Sequence, residues 1–118
     1  MAQYLLAVHA VDGEPVPDDA TVGLMYAQVG QFNQGLQAAG QWVFAGGLVP
    51  SDAARVVSTA GGIPEVTDGP RTPGGTQLGG FWVVEAADDD EALALATKAS
   101  AACMGPVEVR PFQVIPED

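Results

Sequence analysis

Apolar positions recur along this chain with two alternating periods, and the alternation predicts its elements. Tyr4 to Val11 is rich in Leu and Val and reads as a strand. Asp12-Gly13 through Asp18-Asp19 carries two prolines and a glycine and reads as loop. Leu24, Met25, Gln28, Phe32, Leu36 and Ala39 fall near the spacing of one helical face, which predicts a helix from about Ala20 to Ala39. Asp18, Asp19 or Thr21 can cap that helix, the carboxylates suiting its positive end, and Gly40 is a natural stop.

Gln41 to Leu48 reads as a second strand, weakened by Gly46 and Gly47. Ala54 to Thr59 and Ile63 to Thr67 flank Ala60-Gly61-Gly62 as a short hairpin. Asp68-Gly69-Pro70 and Thr72-Pro73-Gly74-Gly75 read as loop. Gly80 to Ala86 is a third main strand. Asp88-x-x-Glu91 opens a second helix, from about Asp89 to Ala102, with Asp in the usual Ser or Thr place of a capping box. Gly105-Pro106 ends it, and Val107 to Ile115 is the last strand.

Without the hairpin the order is β-α-β-β-α-β, which predicts an α+β domain of the ferredoxin-like, split-βαβ kind. Its two helices would lie on one face of an antiparallel sheet. The first and third main strands would be central, with the last strand beside the first. Those central strands are apolar at both parities: Tyr4, Leu6 and Val8 alternate with Leu5 and Ala7, and Phe81 and Val83 with Trp82 and Val84. A sheet with one wet face would alternate apolar and polar residues. Both faces therefore want cover, helices can supply only one, and a homodimer is the economical cover for the other. A monomer with an exposed apolar patch, or one covered by its long loops, is the alternative.

The 118 residues give room for one domain and one core, and 47% apolar content is in the globular range. Fifteen acidic residues against four basic ones give a formal charge of −11, which argues against nucleic acid and anionic membranes as partners. Cys103, the lone cysteine, excludes an internal disulfide, and one His with one Cys builds no zinc site of the usual kind. The glycine pairs lack the lysine of a phosphate loop, and no cofactor is expected. The start carries no basic leader and no apolar run long enough to span a bilayer, so the expected location is cytoplasmic.

Several stretches, in order along nearly the whole chain, carry a resemblance. They are Tyr4-Leu5-Leu6, Phe32 to Gly40, Val66-Thr67-Asp68-Gly69-Pro70, Gln77 to Phe81, Glu91-Ala92-Leu93 and Val107 to Pro111. In these the chain resembles the YCII-related family, in particular its DGPF-motif branch. The resemblance implies a dimeric α/β-barrel arrangement of the ferredoxin-like fold. It implies less about activity: YCII relatives are proposed to use a His and an Asp near a cleft, one relative is a dehydrochlorinase, and the wider superfamily includes muconolactone isomerases. Some DGPF members are encoded beside sigma factors or fused to them. The chain departs from the pattern in three places. Arg71 replaces the motif's Phe, Thr72-Pro73-Gly74-Gly75-Thr76 replaces an acidic and lysine-bearing stretch, and Val29 occupies the position of the family's helix His.

Strand parity offers candidates of its own. Glu108 and Arg110 share a face of the last strand, and charges under packed helices are costly unless paired, so they should look toward the dimer-facing side. Glu85 and His9 can look the same way, giving a His-Glu-Arg cluster in which His9 serves as a general base. A plain ion pair between Glu108 and Arg110 and an exposed His9 are the structural alternatives. Asp68 is a candidate carboxylate by resemblance and equally a turn-capping residue. Trp82, with Phe81 and Trp42, is either core or a platform for a ligand. Two functions follow. One is a non-catalytic dimeric small-molecule-binding or regulatory protein, with a ligand in the dimer cleft and a sigma-factor association as one version. The other is a cofactor-free enzyme doing acid-base chemistry on a small, partly aromatic substrate. His9 and Asp68 would then carry protons, and Arg110, Glu85, Glu108 and Trp82 would bind the substrate.

Overall fold

The computed structural model describes residues 1–114. The chain runs β1 (Ala2–Val11), α1 (Asp19–Ala38), β2 (Trp42–Gly47), a short 3-10 turn (Ser51–Ala53), β3 (Arg55–Ser58), β4 (Glu65–Asp68), β5 (Thr76–Ala86), α2 (Asp89–Cys103) and β6 (Val107–Pro111). β2, β5, β1 and β6 form a four-stranded sheet in that order, with every neighbouring pair antiparallel, and β3 and β4 form a separate hairpin. This is the ferredoxin-like α+β order, with β1 and β5 central and β6 beside β1.

Local chemistry accounts for the helix ends. Asp18 caps α1, its carboxylate accepting from the Thr21 amide at 2.8 Å. Gly40 follows the helix at φ +72°, where a Cβ would be strained, and the Gln41 amide reaches back to the Leu36 carbonyl at 2.9 Å. Asp88 caps α2 by accepting from the Glu91 amide at 2.9 Å, while Glu91 accepts from the Ala87 amide at 3.0 Å. α2 ends with Met104, not a glycine, in the left-handed region at φ 59°.

Three boundaries differ from the pattern reading. β5 begins at Thr76 rather than Gly80, because β1 is long enough to pair Val11 with Thr76, and a bulge at Gly79 absorbs the extra residue between Val8 and His9. β4 extends through Asp68, which sits opposite Arg55 instead of opening a turn. β6 ends at Pro111, and Ile115 lies outside the described residues. The inner stripe of α1 also shifts: Met25, Val29, Phe32 and Leu36 face inward, whereas Leu24 is 53% exposed and Ala39 is the C-cap. Leu24 stands about 100° around the helix from Met25, which takes it off the packed stripe.

The core lies between the sheet and the two helices. Tyr4, Leu6, Trp82, Val84 and Ala86 rise from the central strands, Leu36 comes from α1, and Ala92, Leu95, Ala96 and Ala99 from α2. The other parity of the same strands, with Leu5, Phe81 and Val83, carries no helix, and Phe44 stacks at 6.0 Å on Phe81 there while 56% exposed. The resulting slab measures 51 × 46 × 18 Å. It exposes 8290 Å², against about 6,000 Å² for a compact monomer of this mass.

Candidate functional site

Register decides which candidates meet. Ala7 pairs with Glu108 and Leu5 with Arg110 on one side of β1, and Gln3 pairs with Glu85 on the other. Glu85, Glu108, Arg110 and His9 therefore all stand on the helix-free face of the sheet. His9 Nε2 lies 3.0 Å from Glu108 Oε1, with side chains 36% and 56% exposed. Glu108 thus takes His9 as its partner rather than Arg110. His9 is the diagonal neighbour of Glu108 across the ladder, and Arg110 its same-face neighbour along the strand, both at a spacing that long side chains can bridge. Among the described residues no ion pair engages Arg110 or Glu85.

Asp68 and Trp82 stand elsewhere. The Asp68 carboxylate lies on the β3–β4 hairpin, 93% exposed, with Arg55 Nε at 3.8 Å as its charged neighbour. Trp82 points to the opposite side of the sheet from His9, under α1, where it is 5% exposed. Its indole N–H donates to Asn33 Oδ1 at 2.7 Å, and Phe32 meets it edge to face at 5.3 Å.

Beside Trp82 a cavity of about 320 Å³ opens between α1 and the sheet. Its origin is a pair of missing side chains. Gly47 and Gly80 face each other across β2 and β5 at the parity of Trp82 and Val84, so the sheet offers bare peptide where the helix side expects bulk. A Cβ on Gly80 would lie 3.0 Å from the Gly46 carbonyl oxygen and 3.3 Å from Gly47 Cα, so a side chain there would push the facing β2 backbone back by a few tenths of an ångström. A Cβ on Gly47 would meet nothing within 4 Å, because it would project into the cavity. Met25 and Val29 of α1 roof the space, and Trp42 and Trp82 wall it. Among the described residues no Asp, Glu, Lys, Arg or His lines it; its polar side chains there are Asn33, Tyr26 and the Cys103 thiol.

The YCII-related domain model matches residues 4–115. The chain belongs to the YCII-related family. No curated protein matches the chain. Val29, the position assigned by resemblance to the helix His of YCII relatives, is a wall of this family member's cavity.

Pattern reading missed Asn33, Gly47 and Gly80 as site residues. Asn33 carries a weak signal, a polar side chain beside Phe32 on an inward-facing turn of the helix. Gly47 is visible in the sequence only as a weak strand former and Gly80 only as the start of a strand, and their facing each other depends on a register that sequence spacing does not supply. No helix among the described residues is long and apolar enough to cross a membrane.

Proposed function

We infer that this chain is a homodimeric small-molecule-binding protein of the DGPF-motif branch of its family, with Asp68-Gly69-Pro70 as the branch's signature. The observation that carries the reading is the glycine-floored cavity under α1, walled by two tryptophans and, among the described residues, free of charged side chains. Such a space is built to bury a ligand and is short of groups that move protons. The dimer is supported by the apolar, helix-free sheet face and by an exposed surface well above that of a compact monomer. A regulatory role beside a sigma factor is one version of this reading and rests on the family resemblance alone. Native mass spectrometry of protein purified without denaturation tests both parts, with a mass of two chains and a retained small molecule expected. One-chain particles at high concentration would refute the dimer. A ligand-free spectrum, together with no thermal stabilisation by any small aromatic compound, would refute the binding role.

A second reading is favoured by the His9–Glu108 hydrogen bond at 3.0 Å. In it the chain is a cofactor-free acid-base enzyme whose cleft lies between the two sheets of a dimer. His9 takes the proton, Glu108 orients it, and Arg110 and Glu85 hold the substrate. Asp68 enters only if the hairpin reaches that cleft, because its one charged neighbour among the described residues is Arg55. Substituting His9→Gln would abolish turnover of such a substrate and leave occupancy of the cavity under α1 unchanged.

A further inference from the structure

We propose that the cavity beneath α1 takes a neutral, planar ring system bearing one hydrogen-bond acceptor, as in a fused aromatic ketone, and that Asn33 Nδ2 donates to that acceptor. The proposal rests on the binding role inferred above and names the class of ligand. Shape is inferred from the floor: bare peptide at Gly47 and Gly80, facing Met25 and Val29 of α1, offers a side-chain-free surface on which a flat group can lie. A volume of about 320 Å³ admits two or three fused rings. Neutrality comes from the lining, which among the described residues holds no charged side chain to receive a cation or an anion, within a chain of net charge −11 that repels anions.

The acceptor follows from the Asn33 amide. An indole nitrogen can only donate, so the atom of Asn33 that faces Trp82 Nε1 at 2.7 Å must be the oxygen. The amide cannot be turned around without setting donor against donor. Its Nδ2 group is thereby turned away from the indole on a residue that lines the cavity, and it is not buried without a partner in the free protein, so a ligand seated beside it can take its hydrogen bond. A ligand carbonyl would satisfy it, and an all-hydrocarbon ring would leave it dry and unpaired.

The probes are 9-fluorenone, fluorene and 9-fluorenone-2-carboxylate, which share a ring skeleton and differ in acceptor and charge. Trp42 and Trp82 are the only tryptophans and both line the cavity, so intrinsic fluorescence reads occupancy directly, with calorimetry as a second readout. Fluorenone should bind saturably, fluorene about fivefold more weakly, and the carboxylate at least about 100-fold more weakly. Gly47→Val, which fills the cavity from a strand position with open space around it, should keep the wild-type melting temperature and lose all binding. Asn33→Asp keeps an acceptor for Trp82 but loses the donor, and should bring fluorenone down to the affinity of fluorene. Equal binding of fluorenone and fluorene, tight binding of the carboxylate, or undiminished binding by a folded Gly47→Val variant would overturn the proposal. Failure of all three probes while a native spectrum still shows a retained small molecule would sink this ligand class and spare the binding role. Failure of both would sink the two together.

Discussion

His9 and Glu108 meet at 3.0 Å across β1 and β6, although 99 residues separate them in the sequence. On an open face such a pair is worth little, because solvent screens it and two side chains lose freedom. Covered by a second subunit it would be worth more, since removing one partner would leave the other buried and unpaired. Glu108→Ala is therefore expected to change the stability of an isolated chain by less than about 1 kcal/mol and to raise the dimer dissociation constant at least about tenfold. Sedimentation equilibrium across a dilution series measures the second quantity. A dissociation constant unchanged by the substitution would place the pair outside any subunit interface.

Val83 gives a sharper test of the same face. It is half-buried in the single chain, stands opposite Leu5 and Phe44, and has no helix above it. A carboxylate there would be tolerated in a monomer and excluded from the centre of a packed interface. Val83→Asp should yield folded monomers by sedimentation, with the helical circular dichroism of the parent. A dimer that survives the substitution would mean that the subunits meet elsewhere.

The sheet order was readable in the chain because each main strand carried a run of apolar residues and the helices carried caps at Asp18 and Asp88. Parity put Glu108 and Arg110 on one face, since side chains alternate strictly along a strand, and left Glu85 and His9 as candidates for the same face until the register related the three strands. What parity could not supply was distance across strands. Glu108 has equal claim on Arg110 along its own strand and on His9 across the ladder, and only the register separates the two. The bulge at Gly79 was hidden for a related reason: Leu78-Gly79-Gly80 looks like the end of a loop until Val11 is paired with Thr76. The cavity was least legible of all, because it is made by the absence of side chains at Gly47 and Gly80, two residues 33 apart in number whose meeting is a property of the sheet.

Tyr4 makes stability sensitive to alkali. Its hydroxyl donates to Asp89 Oδ1 at 2.8 Å, and that bond, then burial, then the charges of Asp89 and Asp88 raise its pKa above the ordinary value of 10.0. A group whose folded value is raised stabilises the protein fully below its unfolded pKa and loses that contribution as pH climbs through the folded one. Stability should thus hold up to about pH 10 and then fall. In a Tyr26→Phe variant Tyr4 is the only tyrosine, so tyrosinate absorbance follows it alone. A midpoint at or below the ordinary value would refute the role of the Asp89 bond. Tyr4→Phe should remove this part of the alkaline decline.

Met104 closes α2 at φ 59°, in a backbone region where a side chain costs about 1–2 kcal/mol. Most helices place glycine at such a position, and here glycine comes one residue later, at Gly105. The strain is held by three contacts: the Met104 amide donates to the Ser100 carbonyl, the Gly105 amide donates to the same carbonyl at 3.3 Å, and Ser100 Oγ donates to the Gly105 carbonyl at 2.7 Å. Met104 is 47% exposed, so its side chain recovers only part of the cost by burial. β-Branching makes the left-handed region worse, because a second γ atom crowds the backbone. The order of stability at this position should be glycine at or above methionine, with isoleucine lower by about 1 kcal/mol or more. Urea denaturation of Met104→Gly and Met104→Ile at equal slope measures the order. Isoleucine matching methionine would show that the turn relaxes out of the left-handed region, and that the Ser100 contacts do not hold it.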